Sequence, residues 1–378
     1  MKHSVLIEKD GLFGYFAWPT VARLKDGRLL AVSSGFRLAH VCPYGKVAVT
    51  LSEDDGESWS EPRVLFETPL DDRDGGITPW GDGFILTTFN NTRAFQRMRN
   101  EKKPLNTPEK NELLRQRVGE VTDAEEDEHW GSHYAVFDRD LNELYRGKLP
   151  ITAPHGFTLL NDGSLFLVGR RFCADNTPNA PFRKYPEEGI GFLTSKDGKT
   201  FSDVTWISLP EKELSEGSLF CEPHAIQLKN GRILIQIRLQ NDAHFDNTKR
   251  GLFTIYQCVS DDNGKTFTVP EPLNIPDGPL CGSPPHLVEL DGGEVVTVYG
   301  YRKIPFGERA RVSFDSGDTW SEEIVLRDDA PMGDLGYPSS VTVGDDLLTV
   351  YYQRTREDSN CGIYATRWNY REFLEQKL

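Results

Sequence analysis

The sequence predicts an all-β fold: a six-bladed β-propeller of four-stranded antiparallel blades, formed as a single domain by residues 1–378. Three observations predict it. An eight-residue turn recurs along the chain, apolar hairpins recur upstream of these turns, and the 34 glycines and 23 prolines suit many short strands joined by tight turns. The chain exceeds the roughly 100–200 residues of a typical domain, so repetition of one small unit accounts for its length.

The recurring turn has the pattern Ser-x-Asp-x-Gly-x-Ser/Thr followed by Trp or Phe. It occurs in full at residues 52–59, 260–267 and 313–320, and one residue shorter at 195–201. The pattern has a mechanical reading. The Asp accepts hydrogen bonds from its own turn, the Gly takes a positive φ, and the aromatic ring packs between neighbouring sheets.

The recurring hairpin is an apolar strand, a tight turn of the Asp-Gly type, and a second apolar strand that ends near an Arg. Alternating strands joined in this way form β-hairpins. Six hairpins combined with the eight-residue turns give six blades around a central channel. Too little chain follows the last hairpin to complete its blade, so we expect the N-terminal strand, residues 3–8, to close the ring. The hairpins span residues 18–37, 74–93, 154–171, 222–238, 284–302 and 337–354.

A polar insertion interrupts blade two at about residues 94–132. It contains a helix-like stretch at 109–118 and an acidic run at 123–128. Its composition fits a solvated excursion, with a lid or an oligomer contact as the alternatives.

Composition excludes several classes of function. The chain carries 43 Lys and Arg against 58 Asp and Glu, a net charge of −15, which counts against nucleic acid or an anionic membrane as the main partner. No apolar run reaches the roughly 18–20 residues of a membrane span, and charge appears too early for a signal peptide, so we expect a cytoplasmic protein. The cysteines lie far apart without CxxC pairs, which favours reduced thiols.

Equivalent positions of the six hairpins predict a site at one mouth of the channel. The first strand of each blade lines the channel of a propeller, so these positions converge in a ring. The ring consists of Trp18, Asp74, Pro154, Glu222, Pro284 and Tyr337. The second strands return to the same mouth and bring an Arg from each blade: Arg37, Arg93, Arg170 or Arg171, Arg238, Arg302 and Arg354. A single Arg can serve a structural ion pair, but several converging guanidinium groups indicate an anionic substrate.

Three histidines lie beside this ring, at His155, His224 and His286. They come from successive blades and lack the i,i+4 spacing of metal ligands, so hydrogen-bonding roles are favoured over a metal site. His155 is a candidate substrate contact, and neither a metal nor another cofactor is expected.

These repeats and this ring resemble the sialidase superfamily over the whole chain, and the eight-residue turn resembles its Asp-box, or BNR repeat. Members pair a Glu at the start of blade four with a Tyr at the start of blade six, and Glu222 and Tyr337 occupy those places. The resemblance implies that Glu222 is the base and Tyr337 the nucleophile. A neutral phenol can approach an anomeric carbon bearing a carboxylate, which would repel a carboxylate nucleophile. Arg238 matches the second carboxylate-binding Arg of the family, and Arg302 or Arg309 matches the third.

The chain also departs from that family. The usual Phe-Arg-Ile-Pro of blade one is Phe16-Ala17-Trp18-Pro19, so the first Arg is absent, and the loop at 37–46 lacks the usual acidic Asp. Residues 71–74, Asp-Asp-Arg-Asp, lie nearby. We expect Arg73 or Arg37 to supply the missing guanidinium group. Asp74 or Asp72 would then supply the acid/base, because a carboxyl in a partly dry pocket can retain its proton.

The predicted function is therefore that of an exo-acting, retaining glycosidase of sialidase type that releases a terminal sialic acid from a small carbohydrate substrate. Two alternatives stay open: a propeller glycosidase acting on a different sugar, acidic or neutral, and a carbohydrate-binding propeller without catalysis. Linkage preference, hydrolysis against intramolecular transfer, and oligomeric state are not decided by the sequence.

Overall fold

The six sheets expected from the repeats are present in a computed structural model, which describes residues 1–172, 189–241, 252–277 and 280–374. The strands of each blade are antiparallel neighbours in chain order, which confirms the predicted propeller. Blade one consists of β2 (Tyr15–Arg23), β3 (Leu29–Arg37), β4 (Lys46–Ser52) and β5 (Arg63–Phe66). Blade two consists of β6 (Asp71–Trp80), β7 (Gly83–Asn91), β8 (Ser132–Phe137) and β9 (Glu143–Leu149).

Blade three differs because its first strand is divided into two short pieces that pair with the same neighbour. Its strands are β10 (Ile151–Thr152), β11 (Thr158–Leu159), β12 (Leu165–Arg171), β13 (Ile190–Ser195) and β14 (Thr205–Trp206). Blade four consists of β15 (Leu219–Gln227), β16 (Ile233–Gln240), β17 (Phe253–Ser260) and β18 (Glu271–Pro272). Blade five consists of β19 (Pro285–Glu289), β20 (Val295–Tyr301), β21 (Phe306–Ser313) and β22 (Ile324–Ala330).

Blade six joins the two ends of the chain. Its inner strands are β23 (Gly336–Val343), β24 (Asp346–Gln353) and β25 (Gly362–Trp368), and its outermost strand is β1 (Lys2–Ile7). β1 pairs antiparallel with β25, with Lys2 opposite Arg367 and Val5 opposite Tyr364. The first strands of blades one and six also pack on each other, so the ring is closed. This agrees with the prediction that the N-terminal strand completes the last blade.

The repeated turn has the internal hydrogen bonds that its sequence implies. In the first copy, the carboxylate of Asp54 accepts from the backbone N of Ser58 at 2.9 Å, and Gly56 has a φ of 85°. The following ring of Trp59 packs against the apolar cluster shared by blades one and six. Phe267 and Trp320 of the later copies likewise join clusters that extend over two blades. The turns therefore fasten each blade to its neighbour, which keeps the inner strands in a fixed ring.

The insertion in blade two folds into three helices, α1 (Arg93–Lys102), α2 (Pro108–Glu120) and α3 (Asp123–His129). Each begins at a Thr whose hydroxyl accepts a backbone N–H of the first turn, at Thr92, Thr107 and Thr122. Elsewhere in the described ranges lie two short helices, α4 (Glu211–Ser215) and α5 (Arg371–Leu374).

The insertion packs on the loop that follows β3. Nζ of Lys110 donates to the carbonyl of Leu38 at 2.9 Å, and the Tyr44 hydroxyl donates to the carbonyl of Leu113 at 3.2 Å. Helix α2 thus braces residues 38–46.

None of the helices within the described ranges is long and apolar enough to cross a membrane. Cys42, Cys221, Cys258 and Cys361 are buried thiols. Cys173 lies outside the described residues.

Candidate active site

Four members of the predicted ring share one unusual backbone conformation. Trp18, Asp74, Glu222 and Tyr337 have φ angles of 54°, 52°, 50° and 50°, the left-handed region that residues other than glycine rarely adopt. Each lies where a β-bulge shifts the register between the first and second strands of its blade. A bulge re-aims a side chain at the end of a sheet. The strained backbone of these four blades therefore marks one end of the channel, called the ring mouth below.

Glu222 and Tyr337 meet at the ring mouth across the channel. The Tyr337 hydroxyl donates a hydrogen bond to Oε1 of Glu222 at 2.6 Å, and Nη1 of Arg238 donates to Oε2 of the same carboxylate at 2.5 Å. The same Nη1 lies 3.2 Å from the Tyr337 hydroxyl oxygen. Phenol, carboxylate and guanidinium thus form one buried cluster drawn from blades four and six.

The cluster sets the protonation states of its members. Burial alone would raise the pKa of Glu222, but the charge of Arg238 and the hydrogen bonds from Tyr337 and Arg238 bring it below its usual value. Burial, followed by the charge of Glu222, raises the pKa of Tyr337 well above its usual value. Near neutral pH Glu222 is therefore a carboxylate and Tyr337 a phenol that points its proton at that carboxylate.

Of the two aspartates proposed as acid/base, the structure brings only Asp74 to this cluster. Asp74 is buried, its Oδ1 has no hydrogen-bond partner in the described part of the chain, and it interacts electrostatically with Glu222. Burial raises the pKa of Asp74 to about 6. Asp72 faces elsewhere, because its carboxylate accepts from the backbone N and the hydroxyl of Thr68 at 2.5 and 2.9 Å. Its pKa of about 8, also raised by burial, belongs to this structural turn.

Three of the predicted substrate-binding arginines lie at the ring mouth. Arg238 contacts the Glu222 and Tyr337 pair directly. Arg302 lies with its guanidinium carbon 5.9 Å from the centre of the Tyr337 ring and donates twice to the carbonyl of Leu335, at 3.1 and 2.9 Å. Arg73 stacks on the Trp18 ring at 4.1 Å, and its Nε lies 4.0 Å from Oδ1 of Asp74.

Arg37 and Arg309 have internal partners instead. Arg37 is fully buried, pairs with Asp71 at 2.6 Å and donates to the carbonyls of Asp72 and His40 at 3.1 Å each. Arg309 donates to the carbonyl of Pro305 at 3.0 Å and pairs with Glu323 at 3.2 Å. Both side chains hold neighbouring segments together.

His155 lies deeper in the channel, in a cluster with His224 and His286. Its ring centre is 5.6 Å from that of His224 and 5.1 Å from that of His286. Nδ1 of His224 accepts the backbone N–H of Leu287 at 2.9 Å, so the neutral tautomer carries its proton on Nε2. In the ranges that the structure describes, no group of three or more His, Cys, Asp or Glu side chains is arranged to hold a metal ion.

A cavity of about 330 Å³ opens beyond these histidines at the opposite mouth of the channel. It is lined by the far ends of the first strands, including Val21, Ile77 and Leu287. The titratable cluster of Glu222 and Tyr337 is not part of its wall, so this cavity and the candidate chemistry lie at different ends of the channel.

Sequence reasoning missed two residues at the ring mouth, His40 and Asp334. His40 Nδ1 lies 3.1 Å from Oδ1 of Asp334, and its ring meets that of Trp18 edge-on at 4.8 Å. Both residues lie in connections outside the aligned hairpins, so the repeat comparison could not find them. A signal was available, because His40 is the histidine of a loop already identified as lacking an acid.

Comparison with known proteins gives no identity from the sequence. No family model matches the chain, and no curated protein matches it.

Solved structures match the fold over nearly all of the chain. A protein of unknown function from Dyadobacter fermentans superposes with a TM-score of 0.72 at 21% identity, covering 97% of both chains. An α-L-arabinofuranosidase of Fusarium graminearum, solved with an iminosugar inhibitor, gives a TM-score of 0.62 at 12% identity and covers 99% of both. The sialidase of Trypanosoma rangeli, solved with the inhibitor DANA, gives 0.54 at 15%, covering 96% of this chain and 56% of that one. The neighbours with named activities are glycoside hydrolases, and identities this low establish the shared fold.

Proposed function

We propose that this protein is a retaining exo-glycosidase of sialidase type that releases a terminal acidic sugar, with Tyr337 as nucleophile and Glu222 as its base. The observation that carries the proposal is the 2.6 Å hydrogen bond from the Tyr337 hydroxyl to a carboxylate on another blade. A base within hydrogen-bond reach of a hydroxyl is the arrangement that activates a nucleophile. A binding module has no need of such a pair.

The first chemical step follows from that geometry. The Tyr337 oxygen attacks the anomeric carbon while its proton passes to Glu222, so no free phenolate is required beforehand. Arg238, which touches both groups, stabilises the negative charge that moves between them. The product of this step is a glycosyl group on Tyr337, which water then removes with overall retention of configuration.

Recognition of an anion is proposed for Arg238, Arg302 and Arg73. In a protein with a net charge of −15, three guanidinium groups around one mouth form a local positive cluster. Arg302 has a specific reason for this role: its Nη1 has no hydrogen-bond partner among the described residues. A sugar carboxylate can accept that N–H and those of the neighbouring guanidinium groups.

A second candidate, a glycosidase for a different sugar, is supported by the internal use of Arg37 and Arg309. Their ion pairs with Asp71 and Glu323 leave fewer guanidinium groups for a carboxylate than the sequence suggested. The fold is also shared with the Fusarium graminearum α-L-arabinofuranosidase. This candidate retains the roles of Tyr337 and Glu222 and changes only the sugar.

Asp74 meets the chemical requirement of a proton donor for the leaving oxygen, since its pKa of about 6 keeps part of the population protonated near neutral pH. Its position is less favourable. Only 8% of its side chain is exposed, compared with 24% for Glu222, so Asp74 is less accessible from solvent than the proposed base.

The test is turnover of a panel of fluorogenic aryl glycosides, one sialoside and several acidic and neutral sugars including an α-L-arabinofuranoside. We expect the sialoside to be cleaved with retention of the anomeric configuration, which NMR detects as the anomer that is released first. Tyr337→Phe should abolish this activity, while Tyr145→Phe, on the outermost strand of blade two, should not change it. Cleavage of another sugar alone would support the second candidate. Saturable sugar binding without turnover of any substrate would support a carbohydrate-binding module and overturn the proposed enzymatic function.

A further inference from the structure

We propose that His40, aligned by Asp334, is the catalytic acid/base at the ring mouth: it protonates the leaving oxygen and later deprotonates the attacking water. The inference rests on the proposed function and adds to it the residue that transfers the second proton. Asp334 is its positioning residue.

The geometry of the pair fixes which nitrogen of His40 is available. A carboxylate only accepts hydrogen bonds, so the 3.1 Å contact to Asp334 places a proton on Nδ1 of His40. Nε2 is then the second nitrogen, and it has no hydrogen-bond partner in the described part of the chain. Such a pairing holds the imidazole in one tautomer and one orientation, as in other His and carboxylate dyads.

Asp334 is itself held by several groups. The Tyr15 hydroxyl donates to its Oδ2 at 3.1 Å and the Tyr352 hydroxyl to its Oδ1 at 3.2 Å, while Arg354 pairs with Oδ2 at 3.7 Å. Burial would raise the pKa of Asp334, but the charge and hydrogen bond of His40, followed by Arg354, bring it far below its usual value. A carboxylate with this many partners is permanently charged and has little freedom to turn, which are the requirements for orienting an imidazole.

The backbone of His40 is fixed as well. Its carbonyl oxygen accepts from Nη2 of Arg37 and from Nη1 of Arg73, each at 3.1 Å. These are buried guanidinium groups of blades one and two, and the insertion braces the same loop through Lys110. A histidine in a solvated loop would need none of these contacts, so the structure holds the backbone of His40 in a defined position.

The placement suits a proton donor better than that of Asp74. The Trp18 ring contacts both side chains, with its centre 4.8 Å from that of His40 and 6.4 Å from that of Tyr337. Nearly half of the His40 side chain, 46%, is exposed, against 8% for Asp74. In an exo-acting enzyme the leaving group points towards solvent, so an exposed imidazole at the ring mouth is better suited to reach the leaving oxygen than the buried carboxyl of Asp74.

The two steps balance as follows. In the first, the bond from the Tyr337 oxygen to the anomeric carbon forms and the glycosidic C–O bond breaks. The electron pair of the broken bond stays on the leaving oxygen, which takes the Nε2 proton of the His40 imidazolium, and Glu222 takes the phenol proton. In the second, neutral His40 takes a proton from water as the water oxygen bonds to the anomeric carbon. The electron pair of the cleaved bond returns to the Tyr337 oxygen, which recovers its proton from Glu222.

The test compares His40→Gln, Asp334→Asn and Tyr337→Phe on two glycosides of the same sugar, one with an aryl leaving group that needs no protonation and one with an alkyl leaving group that does. His3→Gln, on the outermost strand of blade six, is the matched control. We expect His40→Gln to lower kcat/KM on the alkyl glycoside by about 10²–10⁴-fold and on the aryl glycoside by less than about tenfold. Asp334→Asn should give a smaller loss with the same preference. Azide should accelerate His40→Gln on the aryl substrate and form the glycosyl azide, because an anionic nucleophile needs no base.

The outcomes separate the two proposals. One outcome is that Tyr337→Phe loses activity on both substrates, while His40→Gln loses activity equally on both and azide has no effect. This result would support the proposed glycosidase and overturn the role of His40. The leaving-group preference and the azide product found instead in Asp74→Asn would assign the acid to Asp74. Absence of turnover by the unmodified protein would overturn the proposed function and the acid/base role together.

Discussion

Replacing Glu222 by Gln tests the central pair of the site with the smallest change of shape. The amide oxygen of Gln can still accept the 2.6 Å hydrogen bond from the Tyr337 hydroxyl, but it cannot take the proton near neutral pH. A positioned general base contributes about 10²–10⁴-fold. We therefore expect kcat/KM to fall by that factor, which corresponds to about 2.7–5.4 kcal/mol of transition-state stabilisation. Aryl and alkyl glycosides should lose equally, since activation of the nucleophile does not depend on the leaving group.

The same substitution has a cost in stability that can be estimated separately. Arg238 loses its charged partner at 2.5 Å but retains Gln240 and the Tyr337 oxygen, so we expect about 1–3 kcal/mol of destabilisation. The left-handed backbone at residue 222 is equally strained with either side chain and cancels from the comparison. Initial rates and thermal denaturation measure the two effects independently. Glu271→Gln, on the outermost strand of the same blade, is the control. A folded Glu222→Gln protein within threefold of normal activity would refute the assignment of the base.

Three further changes follow from the described contacts. The pH profile should rise through the pKa of Glu222, which lies below its usual value, and fall through that of His40, which also lies below its usual value because partial burial and the nearby Arg73 and Arg302 outweigh Asp334. His40→Gln should remove the alkaline limb, and persistence of that limb would point to Asp74. Arg302→Gln removes one charge-assisted hydrogen bond to an anion, so it should raise KM for an anionic glycoside by about 10–100-fold and leave KM for a neutral glycoside nearly unchanged. Equal changes in KM for both glycosides would contradict an anion-binding role for Arg302. Gly45→Ala places a methyl group against the buried Arg37 and Asp71 pair, so it should lower the free energy of unfolding, measured by denaturant titration, by about 3–5 kcal/mol. Gly119→Ala, at an open position of α2, should raise that free energy by about 0.5–1 kcal/mol.

The repeats made the ring mouth predictable. Trp18, Asp74, Glu222 and Tyr337 share a position in their hairpins, and the structure gives all four the same bulge and the same sign of φ. Sequence spacing can identify such positions because a strand has a strict period of two residues and each bulge adds one residue at an equivalent point.

The directions of the arginine side chains could not be predicted in the same way. Arg37 and Arg238 both lie near the end of the second strand of their blade, yet one is sequestered by Asp71 and the other faces Glu222. A long side chain follows a nearby carboxylate, which a neighbouring blade supplies for Arg37 and the same blade supplies for Arg238. His40 and Asp334 escape for a related reason, since their pairing joins two connections 294 residues apart.

Closure of the ring by β1 has a consequence for biosynthesis. Lys2 pairs with Arg367, so β1 must wait for β25, which is synthesised much later. At about 5–20 residues per second, the intervening chain takes on the order of twenty seconds to more than a minute to translate. During that interval the backbone edge of β1 has no native neighbour, and the ring of blades stays open until β1 and β25 pair.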